Sequence, residues 1–152
     1  MNFATLTKVL FTITILLFSL SVSAQKDETT KLDSQVVTDL NLTPKMALGL
    51  QKERHIKGAF NFFDQLIKSD VEFENFEIII WSKVVENLKE GSELYRLIEE
   101  NQHPKLRVSV CEGAMKRLGV IKEDLPEGAT PVPNAFLRLL QVQAKGYNTV
   151  TP

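Results

Sequence analysis

The sequence has few of the side chains that bridge, ligate or carry out chemistry. It holds one cysteine, Cys111, in 152 residues, so no internal disulfide can form. Its two histidines, His55 and His103, lie on separate segments with no second ligand at metal spacing, and no zinc site is expected. No glycine-rich phosphate loop follows a predicted strand, and Ser82 and Ser109 lack the surroundings of a nucleophile elbow. Nucleotide and hydrolase chemistry are therefore unsupported. An excess of one charge is also missing: the formal net charge is -1, and it becomes -2 if a leader containing Lys8 is removed. Such a chain has no field to attract DNA or RNA. Lys105, Arg107, Lys116 and Arg117 do gather in one stretch, but Glu112 interleaves with them and they read as a solvated face. There is no internal repeat.

At the N-terminus, Lys8 supplies a weakly positive start and Val9 to Val22 form an apolar run interrupted only by Thr and Ser. Val22-Ser23-Ala24 then offers the small residues of a signal-peptidase site, so residues 1–24 read as a signal peptide cleaved before Gln25. The apolar run is too short for the roughly 20 residues that span a bilayer, and no membrane association is expected after cleavage. No cysteine stands near the cleavage site to carry a lipid. The expected location is outside the cytoplasm, in the periplasm. Exported small proteins often depend on disulfides, and this one cannot. Cys111 is then an inert buried thiol, an intermolecular partner or a reactive group.

Residues 25–43 are rich in Lys, Asp, Thr and Ser with little apolar periodicity, and read as a polar tail or linker. From residue 44 to 152, short apolar runs alternate with helical patterns, the signature of βαβ units around a mostly parallel sheet. The first strand is predicted over Lys45 to Gln51. A helix follows in which Ile56, Ala59, Phe60, Phe63 and Ile67 recur at helical spacing. Phe76 to Trp81, with its unbroken Ile78-Ile79-Ile80 run, suits a central strand covered on both faces. Ser92 is a candidate N-cap for the helix carrying Leu94, Leu97 and Ile98. Leu106 to Val110 is a strand and Cys111 to Leu118 a short helix that Gly119 closes. A brief strand is expected near Thr130 to Val132, a helix capped by Asn134 over Ala135 to Lys145, and an edge strand over Tyr147 to Thr151. The last helix is apolar around most of its circumference, which fits either burial within one chain or a face shared with another copy.

In open parallel sheets ligands bind beyond the carboxyl ends of the strands, where helix N-termini present free N–H groups. Cys111 falls at such a junction, and the positive end of a helix stabilises a thiolate. The same helix also offers a packing role, because Cys111, Ala114, Met115 and Leu118 form one core-facing stripe. Cys111 is the candidate catalytic residue. His55, behind the first strand and beside Arg54, Trp81 at the end of the central strand, and Glu112 and Gly113 next to the cysteine are the candidate substrate-binding residues. Surface placement of His55 and core packing of Trp81 are the alternatives.

The stretch Leu106-Arg107-Val108-Ser109-Val110-Cys111-Glu112-Gly113-Ala114-Met115-Lys116-Arg117-Leu118-Gly119-Val120 resembles the strand, cysteine and short helix of the DsrE/DsrF-like family. The similarity continues upstream through Gly91-Ser92-Glu93-Leu94 and downstream through Pro131-Val132-Pro133 and the closing Gln143-Ala144-Lys145-Gly146-Tyr147. It implies a three-layer αβα sandwich around a mostly parallel five-stranded sheet, and assembly into homo- or hetero-oligomers. It further implies that Cys111 stands where sulfur-relay members carry a persulfide, with a sulfur-donor or acceptor protein as partner and no cofactor. Relay members work in the cytoplasm, whereas this chain begins with a leader, and Cys-Glu-Gly-Ala is less apolar than the usual surroundings.

Overall fold

The computed structural model describes residues 32–152, a single compact unit. The leader, its cleavage site and residues 25–31 lie outside the described residues. The order of elements is α1 (Ser34–Asn41), β1 (Lys45–Leu50), α2 (Glu53–Ile67), β2 (Asn75–Ile80), a 3-10 segment (Lys83–Leu88) and α3 (Glu93–Glu100). After these come β3 (Leu106–Cys111), α4 (Glu112–Leu118), a 3-10 turn (Lys122–Asp124), β4 (Ala129–Val132), α5 (Ala135–Ala144) and β5 (Asn148–Val150).

The five strands form one all-parallel sheet in the order β4-β3-β2-β1-β5, with β2 at its centre and β4 and β5 at its edges. This topology dictates the layers. From β1 to β4 each strand steps the same way across the sheet, and right-handed crossovers then put the intervening helices on one face. The crossing from β4 back to β5 runs the opposite way, so α5 must lie on the other face. Side-chain pairings agree: Phe63 of α2 meets Phe76 at 5.5 Å between ring centroids, while Arg138 of α5 reaches Glu77, the next residue along β2. Adjacent residues of a strand point to opposite faces. The result is a three-layer α/β fold.

Local sequence explains most of the element ends. Ser92 accepts from the N–H of Tyr95 at 3.0 Å, and Asn134 from those of Phe136 and Leu137 at 2.8 and 3.2 Å. Gly119 closes α4 at φ 64°, where a side chain would be strained. One element departs from expectation. Residues 34–41, read as part of a polar tail, form α1, because Asp33 caps the helix by accepting from Gln35 N–H at 2.8 Å and Val37 and Leu40 pack against the core. Three apolar residues in eight, two of them adjacent and Val36 exposed, are too few to show as periodicity.

The layer on the α2 side is built by Met46, Leu50, Phe76, Ile78, Ile80, Val108 and Val110, all buried. Across the sheet the buried part of β1 presents only Ala47 and Gly49. A Cβ on Gly49 would stand 2.9 Å from Trp81 Cη2 and 2.9 Å from Thr151 Oγ1, so the indole lies across the glycine. Trp81 also packs against Phe136 of α5, with ring centroids 5.7 Å apart.

Candidate functional site

The C-terminal ends of the strands gather most of the residues singled out from sequence. Cys111 is the last residue of β3 and the N-cap of α4, and its side chain makes no capping hydrogen bond. Alternation from Ser109 puts it on the face of the sheet that α5 covers. The neighbouring strand carries Val132, its partner in the β3–β4 register, and on the other side Trp81 follows Ile80, the partner of Val110. After β3 the chain turns to the face of α2; after β4 it turns to the face of α5. Cys111 and Val132 thus stand at the point where connections diverge, the position at which open α/β sheets form a ligand crevice.

Cys111 is 8% exposed and is counted among the buried residues of the apolar core. Its flank is set by Gly113, where a Cβ would lie 3.7 Å from Cys111 Sγ. A glycine there leaves the sulfur uncovered from that side. Glu112 is exposed beside it. A cleft of about 480 Å³ opens between α4 and β4, lined by Glu112, Met115, Lys122, Ala129, Thr130 and Pro131, one residue beyond the cysteine. Ser82, directly after Trp81, is held at φ 73°, in a region that favours glycine, and turns the chain out of β2.

His55 lies in the first turn of α2, after β1, at the same end of the sheet. Arg54 Nε donates to its Nε2 at 3.1 Å, and its Nδ1 is buried with no partner among the described residues. Cys111, Glu112, Gly113 and Trp81 therefore come together at the ends of β2 and β3, and His55 occupies the start of a helix on the opposite face. No group of three His, Cys, Asp or Glu side chains suited to a metal occurs among the described residues. No described helix is long and apolar enough to cross a membrane.

Sequence reasoning passed over a buried polar cluster behind the cysteine. Glu77, 1% exposed, accepts from Arg138 Nε and Nη2, each at 2.7 Å, and from Ser109 Oγ at 2.6 Å. Arg107 Nε donates to Ser109 Oγ at 3.2 Å and lies 3.7 Å from Glu77 Oε1. The hydrogen bonds to Glu77 hold the Arg138 guanidinium above its ordinary pKa, against the opposing effect of burial. Glu77 was detectable as a lone charge inside an apolar strand, and Arg138 as the one charged residue of α5.

No protein-family model and no curated protein matches the sequence. Among solved structures the chain is similar to a protein of unknown function, MTH1491 from Methanobacterium thermoautotrophicum. The two are 18% identical with a TM-score of 0.58, over 71% of this chain and 98% of that one. The likeness establishes the fold.

Proposed function

We propose that the exported, mature protein belongs with the DsrE/DsrF-like proteins and binds or relays sulfane sulfur, carried as a persulfide on Cys111. The observation that carries the reading is the position of Cys111 at the divergence of β3 and β4, with an uncapped sulfur and Gly113 on its flank. In the transfer step the Cys111 thiolate attacks the outer sulfur of a donor persulfide. A new S–S bond forms on Cys111, the donor's S–S bond breaks, and the donor's inner sulfur leaves as a thiolate. No external oxidant is required. The resemblance of residues 106–120 to sulfur-relay proteins supports this assignment, and the leader supports a periplasmic setting. Intact mass after incubation with polysulfide is the test. One added sulfur on the wild type and none on Cys111→Ser is expected; no adduct, or equal adducts on both, would sink the proposal.

A second reading rests on a different observation. Phe136, Leu137 and Leu140 of α5 are 62%, 58% and 61% exposed, an apolar face turned outward. With Cys111 in the core cluster, the chain then acts as a non-catalytic module that assembles with copies of itself through α5. Thiol labelling separates the two readings. Labelling of native protein as fast as a small free thiol excludes the second; labelling only in denaturant excludes the first. A light-scattering mass of one chain would remove self-assembly.

A further inference from the structure

At the opposite end of the sheet, where β3 and β4 begin, a cavity of about 370 Å³ opens between the end of α3 and the two strands. Its floor is Ile98 and Val108, both buried, flanked by Leu106. Its wall is polar, and the polar groups have unused capacity. Asn101 Nδ2 donates to Leu97 O at 2.7 Å, which leaves Oδ1 to accept. His103 Nδ1 accepts from Lys105 N–H at 3.1 Å, so the ring hydrogen sits on Nε2 and is free to be donated. The Gln102 amide makes no side-chain hydrogen bond among the described residues; its stem packs where a Cβ on Gly128 would be 3.2 Å from Cγ, so Gly128 gives it room. None of the lining residues is Asp, Glu, Lys or Arg.

An apolar floor with a few convergent polar groups, at a volume within the ordinary range of small-ligand sites, has the composition of a binding pocket. We infer that this cavity binds a small uncharged molecule with an apolar ring or branched body and a carboxamide-like group. The amide of Gln102, the acceptor of Asn101 and the donor of His103 complement such a donor–acceptor pair. An ion entering here would lose hydration with no opposite charge to replace it. The inference is independent of sulfur chemistry. Val108, the lining residue of β3 nearest to Cys111 in sequence, stands three residues before it, about 10 Å along the strand.

Benzamide titrated into the purified protein, followed by amide ¹H–¹⁵N spectra, tests it. Saturable shifts are expected at residues 98–108 and around Gly128, with half-saturation at about 1–5 mM for so small a probe. Benzoate and benzylamine, of matching shape and opposite charges, are expected to bind at least about tenfold more weakly. Gln102→Ala, at an exposed position, should weaken benzamide at least about fivefold. Leu106→Trp should fill the cavity and abolish the shifts. If that variant does not fold, Gln102→Ala decides alone. Absence of saturable shifts at the cavity, equal binding of the charged analogues, or an unchanged affinity in Gln102→Ala overturns the assignment.

Discussion

Arg138 of the crossover helix holds Glu77 of the central strand through two contacts of 2.7 Å, joining residues 61 positions apart. The pair lies between the sheet and α5, and Ser109 takes up further capacity of the carboxylate. Breaking a buried pair by removing one partner strands a charge, at about 3–5 kcal/mol. Glu77→Ala is expected to lower unfolding free energy by about 3 kcal/mol, as is Arg138→Ala. A double Glu77→Ala, Arg138→Ala variant should lose less than the sum, because neither charge is then orphaned. Urea denaturation of the three variants measures this; strict additivity would contradict the coupling.

Trp81 across Gly49 leads to a second expectation. An alanine at 49 puts its Cβ 2.9 Å from the indole and 2.9 Å from Thr151 Oγ1, so it meets a side chain on two sides. Gly49→Ala should destabilise by about 1–3 kcal/mol, the range for overpacking. Trp81 is the sole tryptophan, so its emission reports the displacement directly. A spectrum and melting temperature equal to wild type would show that the ring is not pinned there.

These two relationships mark the boundary of what the sequence discloses. Caps at Ser92 and Asn134 and the stop at Gly119 were legible because their chemistry is local: one side chain serves N–H groups two or three residues away. The Ile78-Ile79-Ile80 run likewise announced a strand covered on both faces. The Glu77–Arg138 clasp was not legible, since its partners meet only after the β4-to-β5 crossover reverses direction. Helix α1 was hidden for the converse reason: a cap and two half-buried apolar residues make too weak a pattern in a polar stretch. Cys111 could be placed at a strand end from sequence, but its neighbours on β2 and β4 come from register.

A third prediction concerns acid. Glu53 of α2 pairs with Lys57 at 2.8 Å and accepts from Asn87 at 2.8 Å, and these bonds, Lys57 first, hold its carboxyl below the ordinary 4.5. A carboxylate with a depressed folded value stabilises the fold above its unfolded pKa, and the contribution is lost as pH falls through the folded one. The stability difference between wild type and Glu53→Gln should be constant from neutral pH to about pH 5 and shrink towards about pH 3. The effect is small, because the pair is solvent-screened. Urea midpoints at the two ends check the sign; a difference that grows in acid would refute it.

The last prediction bears on access to Cys111. Cys111 is buried, with the α5 layer on its face of the sheet, and Gly113 is the flank without a side chain. A valine at 113 would begin with a Cβ 3.7 Å from Sγ, in van der Waals contact, and its methyl groups would extend over the sulfur. Gly113 is exposed and lies in the first turn of α4, so the change has little packing to disrupt. Replacing glycine within a helix also removes an entropic penalty of roughly 0.5–1 kcal/mol, offset by the lower helix propensity of a branched residue. Global stability should therefore change little. The rate of labelling by a small thiol reagent on the native protein should fall at least about threefold, since attack needs a clear line to the sulfur. Polysulfide adduct formation should fall with it. If labelling slows while stability holds, reagents and sulfur donors share the path past Gly113. If the rate is unchanged, the sulfur is reached from another side, and the role given to this glycine is wrong.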